Sequence, residues 1–472
     1  MVAGCTGFST IRLYPSAMVR RIVVIMLLAA SMGAGLPAGA TSSPITLDVR
    51  GPVGAIPEGF LGLSVEASTM GSAAFDPAVS NMVDEMLALG PGVVTFAGSS
   101  ADRSTVWQRK PDDPIPAWAT ATITPDKLRT VAALATATGW KVDLAINLYH
   151  DDPARAADEV VAATKILGPS LRNVHLGNEP ELYTYMYRNP MSFEQYAQRW
   201  SAVRRAILAR SRGTRFTGPD SYLPAWYDQL LATPRVSAGL SEFGDHFYPF
   251  SDCGKKGVRT SALLSDRSLA REAAAIANDH SLADVIGIPV ALDEFNSVSC
   301  GSTAPVQWQA ASALWVVRAL LTAASGGVVR VGIQTNVLRC QTYSPLCPSD
   351  SQTPQLLSRT PIMSGLLLVA GLEGGRLLRI RTTTGALPPG VSAWAIGMPG
   401  GGRRLVLANT TATDIADLRI TGGPTRVTSM TTLAVPDLEA TTVPDLVVTI
   451  PSDGILDHSK LPAQTIEVLS GQ

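Results

Sequence analysis

His175-Leu-Gly-Asn-Glu-Pro-Glu-Leu-Tyr183 holds a strand, a turn and an acid in nine residues. A short apolar strand over 173–176 runs into Gly177 and then into Asn178-Glu179-Pro180. Proline lacks a backbone N–H and disfavours helix in the residue before it, which sets Glu179 at a strand end or in the loop beyond. An acid held at the mouth of a sheet, with an amide beside it, is placed for proton chemistry.

The same alternation of strand and helix extends in both directions. Strands are predicted over 61–66, 93–96, 142–147, 173–176, 215–218, 240–248, 289–293 and 328–333. Between and after them lie predicted helices over 76–89 (opened by Asp76-Pro77), 124–137, 153–167, 192–210, 268–280, 306–324 and 358–372. Ser192 is placed to cap its helix, with Gln195 as capping-box partner. Eight strands alternating with helices is the pattern of an α/β fold of the (β/α)8 TIM-barrel type. The alternative, an open doubly wound sheet, calls for a glycine-rich phosphate turn, and Gly98-Ser99-Ser100 is too poor in glycine. From about Arg376 helix formers thin out, and short strands recur between turns, which predicts a C-terminal antiparallel β-sandwich. The alternating strand Ile45–Val49 is expected to join it. The predicted organisation is a signal peptide at 1–40, a catalytic barrel at 58–373, and a sandwich from 41–57 with 374–472.

Composition narrows the function class. The 472 residues are 46% hydrophobic and 16% charged, with a net charge of −1. No long-range field draws nucleic acid or anionic membrane, so neither is an expected partner. Arg20-Arg21, the apolar run 22–30 and Ala38-Gly39-Ala40 have the layout of a secretory signal, with Met18 as an alternative start. A membrane anchor is the competing reading, but the run is short and breaks at Gly33, Gly35 and Pro37. The expected mature protein is secreted or extracytoplasmic, with no stable membrane span. Signal cleavage would leave Cys253, Cys300, Cys340 and Cys347, which suggests two disulfides in one of three pairings. Free buried thiols are the alternative. The cysteine spacing and the scattered histidines do not suit zinc, and no metal or cofactor is expected.

In such a barrel the active site lies at the C-terminal ends of the strands. Glu66, Asp102, Asn147, Asn178, Glu179, His246, Tyr248, Glu294 and Gln334 fall there. Two glutamates, after strands four and seven, share one mouth. Two carboxyls about 5–5.5 Å apart perform retaining glycoside hydrolysis, one as nucleophile and the other as acid/base. Asn178 is placed to bond a sugar 2-OH. His246 and Tyr248 lie two apart and face one side of a strand, where Tyr248 can hold the nucleophile or simply pack. Glu181 and Asp293 read as structural. Trp107, Trp118, Trp226, Trp308 and Trp315 are candidates for a sugar-stacking platform or for core packing.

Gly177-Asn-Glu-Pro-Glu-Leu-Tyr183, Asp293-Glu-Phe-Asn-Ser-Val-Ser-Cys-Gly301, Ser100-Ala-Asp-Arg103 and Asp245-His-Phe-Tyr248 resemble glycoside hydrolase family 79, the family of β-glucuronidases and heparanase. The resemblance spans nearly all of the mature chain. It implies Glu179 as acid/base, Glu294 as nucleophile, and Asp102 and Tyr248 lining the sugar subsite. It further implies that the Gly301 backbone N–H and Tyr343 read the sugar carboxylate. Two departures bear on specificity. The family's Arg-x-Gly-Gly-Asn-Ser is here Thr95-Phe-Ala-Gly-Ser-Ser100, and a family tyrosine five residues past the nucleophile is here Ser299.

The expected protein is therefore a secreted, metal-independent, retaining β-glycosidase acting on glucuronide-containing glycosides or oligosaccharides. The alternatives are a β-glucosidase-like enzyme on neutral sugars, a non-catalytic carbohydrate-binding protein, and a wall-associated structural protein. Loops after strands six and seven lie side by side, which predicts a Cys253–Cys300 bridge beside the nucleophile. Cys340 and Cys347, which enclose six residues, are expected to pair with each other.

Overall fold

The computed structural model describes residues 45–472, apart from 184–190, 254–256, 301–303, 351, 383–385, 417, 422, 425 and 451–459. The signal at 1–40 and Gly301 thus lie outside the described residues. Strand β1 (Ile45–Ala55) leads to eight barrel strands: β2 (Leu61–Glu66), β3 (Val93–Ala97), β4 (Lys141–Ile146), β5 (Leu171–Leu176), β6 (Phe216–Ser221), β7 (Glu242–Phe247), β8 (Val290–Phe295) and β9 (Arg330–Thr335). All pair in parallel, in chain order, and β9 returns to β2 to close the barrel. Parallel strands covered by helices are buried on both faces. Accordingly Leu61, Leu63, Val65, Val94 and Phe96 are all within 1% of complete burial. Each such side chain contributes about 1.5–3 kcal/mol on leaving water.

The helix ends follow local chemistry. Helix 125–138 starts with Pro125 behind Thr124, whose Oγ1 accepts from the Lys127 N–H at 3.3 Å, and ends at left-handed Gly139. Ser192 and Gln195 form the reciprocal capping box at the start of helix Phe193–Arg210. The helix expected from Asp76 begins later, at Met82. Asp76 Oδ1 instead accepts from the Ala78 N–H, and Ser80 Oγ from the Met82 N–H. Such bonds let aspartate and serine hold turns in place of a helix.

Beyond the barrel come β10 (Arg376–Thr382), β11 (Val391–Gly397), β12 (Arg403–Asn409), β13 (Leu418–Thr421), β14 (Val427–Ala434), β15 (Leu446–Thr449) and β16 (Thr465–Gly471). They form one sheet with β1, in the order β13-β1-β10-β11-β12-β16-β14-β15. Its pairings are antiparallel except β1 with β13, which are parallel. Alternation on β12 shows how the sheet serves two cores. Leu405 and Leu407 pack with Leu47, Leu418 and Leu461 in a core of the sheet's own. Val406 and Ala408 join the core that continues into the barrel. Barrel and sheet thus lie within one compact unit. No helix among the described residues is long and apolar enough to cross a membrane.

Candidate active site

Glu179 stands just past β5, and its backbone is left-handed (φ 45°, ψ 60°), a conformation that costs a non-glycine residue free energy. Two hydrogen bonds fix it there. Its N–H donates to the Asp220 carbonyl at 2.8 Å, and its own carbonyl accepts from the Leu182 N–H at 2.9 Å. Gly177 makes the approach feasible: it is left-handed too, and a Cβ on it would stand 2.6 Å from the Tyr183 hydroxyl. Glu294 lies near the end of β8, one strand beyond β7.

His246 on β7 sits between the two. Its Nδ1 is 3.1 Å from Glu179 Oε1 and 3.8 Å from Glu294 Oε2. Carboxylate oxygens of Glu179 and Glu294 and a ring nitrogen of His246 lie within 4.8 Å of one another. Inverting pairs stand about 6.5–9.5 Å apart and retaining pairs about 5–5.5 Å, so this gap falls on the retaining side. The Tyr248 hydroxyl donates to Glu294 Oε1 at 2.7 Å. Burial pushes Glu294 up to about 7, helped by the charges of Glu179 and Glu66 and opposed by His246 and Tyr248. Burial alone would lower His246, but the two glutamates outweigh it and hold the imidazole well above its ordinary value.

Glu66, at the end of β2, adds a third carboxylate. Its Oε2 accepts from the Ser100 N–H at 2.8 Å. Left-handed Gly98 lets it in, since a Cβ there would lie 2.7 Å from the Glu66 carboxyl. Burial raises its pKa, and the charge of Glu179 adds to the shift. Tyr343 approaches from the loop after β9, its ring 6.2 Å from that of Tyr248. Burial raises its pKa, and the charges of Glu294 and Glu66 raise it further. Gln334 hydrogen-bonds to Tyr343, while its own Oε1 is buried with no partner among the described residues. The Asn178 Oδ1 is likewise buried with no partner among the described residues.

Asp102 corrects an expectation. It does not line a sugar subsite, because it is fully buried and all its acceptor capacity is used. Oδ1 accepts from the Leu148 and Tyr149 N–H groups at 2.7 and 3.1 Å, and Oδ2 from the Asn178 N–H at 2.8 Å and the Tyr183 hydroxyl. Its role is to tie the loop after β4 to the loop after β5. Asn147 is a staple as well, donating to the carbonyls of Ala101, Asp102 and Thr105. Glu181 accepts from Ser221 Oγ and the Tyr222 N–H at 2.7 and 2.8 Å, consistent with a structural part. Ser299 pairs with Ser251 in a two-residue strand. Trp107, Trp226 and Trp315 are core side chains, and Trp118 stacks on His150 at 3.5 Å. Cys253 is bonded to Cys300 and Cys340 to Cys347. The first bridge joins the loops after β7 and β8.

No protein-family model and no curated protein matches the chain. Solved structures do. A 4-O-α-L-rhamnosyl-β-D-glucuronidase from Fusarium oxysporum 12S superposes with a TM-score of 0.71 at 15% identity, over 90% of this chain and 100% of that one. The family 51 arabinofuranosidase of Xanthomonas axonopodis pv. citri gives 0.68 at 14% identity, over 91% and 100%. The family 30 subfamily 8 xylanase Xyn30A of Clostridium acetobutylicum gives 0.52 at 13% identity, over 90% and 99%. At these identities the likeness is one of fold. A (β/α)8 barrel followed by a β domain is shared with glycoside hydrolases.

Proposed function

We propose that this protein is a retaining glycoside hydrolase, with Glu294 as nucleophile and Glu179 as acid/base, acting on β-glucuronides outside the cytoplasm. The observation that carries the reading is the short gap between the two carboxylates, bridged by His246. In the first step Glu294 attacks the anomeric carbon while protonated Glu179 gives its proton to the leaving oxygen. Tyr248 occupies Glu294 Oε1, which leaves Oε2 to form the glycosyl-enzyme bond. In the second step Glu179 takes a proton from water, which displaces Glu294 and restores the β configuration. The family 79 resemblance and the glucuronidase among the structural neighbours support the choice of sugar. The two disulfides support an oxidising location.

One observation favours a second reading, a neutral sugar. Glu66 puts a third carboxylate beside the pair, and His246 is the only ion-pair partner of Glu179 and Glu294 among the described residues. A glucuronate anion would have to find its donors elsewhere. Aryl β-glycosides test both readings, with Glu294→Gln alongside wild type. Loss of turnover in a folded variant is expected, with the β-anomer as first product by NMR. Near-normal turnover in Glu294→Gln would sink the mechanism. A wild type that prefers glucoside would overturn the glucuronide reading and leave the mechanism standing.

A further inference from the structure

Barrel interiors are ordinarily packed with layers of branched apolar side chains. Beneath this mouth the interior is ionic. Asp143, His175, Asp220, Glu242, Asp293 and Arg330 are each at least 95% buried. Burying ionised groups costs several kcal/mol apiece, and apolar replacements of equal volume are often as stable or more so. Stability alone therefore does not account for the cluster.

The arginines satisfy one half of it. Arg172 bonds Asp143 and Glu242, and Arg330 bonds Glu242 at 2.9 Å and Asp293 Oδ1. The other half converges on His175 of β5. Its Nδ1 is 2.9 Å from Asp220 Oδ2 and 3.8 Å from Asp293 Oδ2, and its Nε2 is 3.6 Å from Asp143. The two aspartates are not arbitrary neighbours. Asp293 immediately precedes Glu294, and the Asp220 carbonyl holds the Glu179 N–H. Gly244 makes room for both: a Cβ there would overlap the Asp293 carboxylate and stand 2.6 Å from Asp220 Oδ1.

We infer that His175 is a positioning residue, one imidazolium that draws Asp220 and Asp293 together and thereby sets the separation of Glu179 and Glu294. This rests on the glycosidase reading for its catalytic meaning, but the geometric claim is independent of substrate. Burial works against a charged His175, yet the Asp220 and Asp293 carboxylates outweigh it and hold its pKa at about 10. The left-handed backbone at Glu179 is what such a clamp would have to maintain.

Asp220→Asn removes the ion pair and keeps the backbone carbonyl; His175→Gln keeps a donor and removes the charge. Each is measured as kcat per active site, counted by trapping with an activated 2-fluoro glycoside, and by crystallography. The expected result is kcat lowered about 10- to 100-fold with KM nearly unchanged. The crystal structure should show the glutamate oxygens more than 4.8 Å apart. Unchanged placement of both glutamates, or unchanged kcat per site, would overturn the inference. So would failure of both variants to fold, which would make the cluster a structural staple. The crystallographic result reads the gap directly, so it stays separate from the Glu294→Gln test of function.

Discussion

The hydroxyl of Tyr248, one residue beyond the end of β7, lies 2.7 Å from Glu294 Oε1, while His246 within β7 reaches Glu179. A hydrogen bond to a charged group is worth about 1.5–3 kcal/mol, roughly 10- to 150-fold in rate if it is made in the transition state. Tyr248→Phe is therefore expected to lower kcat/KM by that order. It also removes one of the contacts that hold the Glu294 pKa down, so that pKa moves further above about 7. In the proposed mechanism Glu294 attacks as its carboxylate, so the acid limb of the kcat/KM profile should shift to higher pH. A profile displaced downward, or not at all, would count against this contact.

Glu179→Ala should discriminate between leaving groups. Activated aryl glycosides need little protonation, whereas poor leaving groups depend on the acid. The variant is expected to slow the poor substrates far more than the activated ones. Equal slowing of both would mean that Glu179 is not the proton donor.

Much of this site is legible in the chain, for identifiable reasons. Proline after Glu179 and the strand rhythm around Glu294 mark both acids as strand-end residues, because those signals are local. Tyr248 follows from period two. Asp102 misleads, since a motif gives a residue's neighbours in sequence and not the four donors that close around it. His175 gives no signal of its own, because Asp220 and Asp293 reach it only once three strands have closed into a barrel. The late start at Met82 is hidden for a different reason: aspartate and serine read alike as helix caps and as turn holders.

The sugar preference is expected to respond to charge at Glu66. Glu66→Gln removes a negative charge from a pocket that would have to admit a carboxylate, so the glucuronide-to-glucoside ratio of kcat/KM should rise. Ser299→Tyr is expected to raise it as well, by about two- to tenfold, the worth of one neutral hydrogen bond. A ratio unmoved by Glu66→Gln would place that carboxylate outside the subsite.

Stability should peak at mildly acidic pH. Burial pushes Glu159 to about 8, Asp245 to about 7 and Asp279 to about 9; the charge and hydrogen bond of Asp245 raise Asp279 further, whereas the hydrogen bond to Asp279 holds Asp245 down. Folded values above the unfolded ones, near 4, give stability that is full at low pH and is lost as pH rises through the folded values. Asp293 works in the opposite sense. Burial would raise it, but Arg330 and His175 bring it to about 2, so its contribution is present above about pH 4 and lost as pH falls toward 2. Calorimetry is expected to give a Tm that is highest at about pH 4–6 and declines toward pH 9, with Asp279→Asn flattening the alkaline decline. A Tm that climbs from pH 5 to 9 would refute the assignment.

Strand β1 has a bearing on the order in which the molecule is made. Leu47 pairs with Thr382 and Ile45 with Leu418, so this strand, made before the barrel, waits for strands made after it. Closing so long a loop is slow relative to the local strand–helix units of the barrel. During synthesis the barrel can assemble while β1 still presents both edges and an apolar face, a surface open to mispairing with another nascent chain. A chain cut short before Arg376 would keep that strand permanently exposed. Ribosome-bound intermediates of this protein should accordingly be most vulnerable to aggregation late, after the barrel is complete and before the final strands have cleared the exit tunnel.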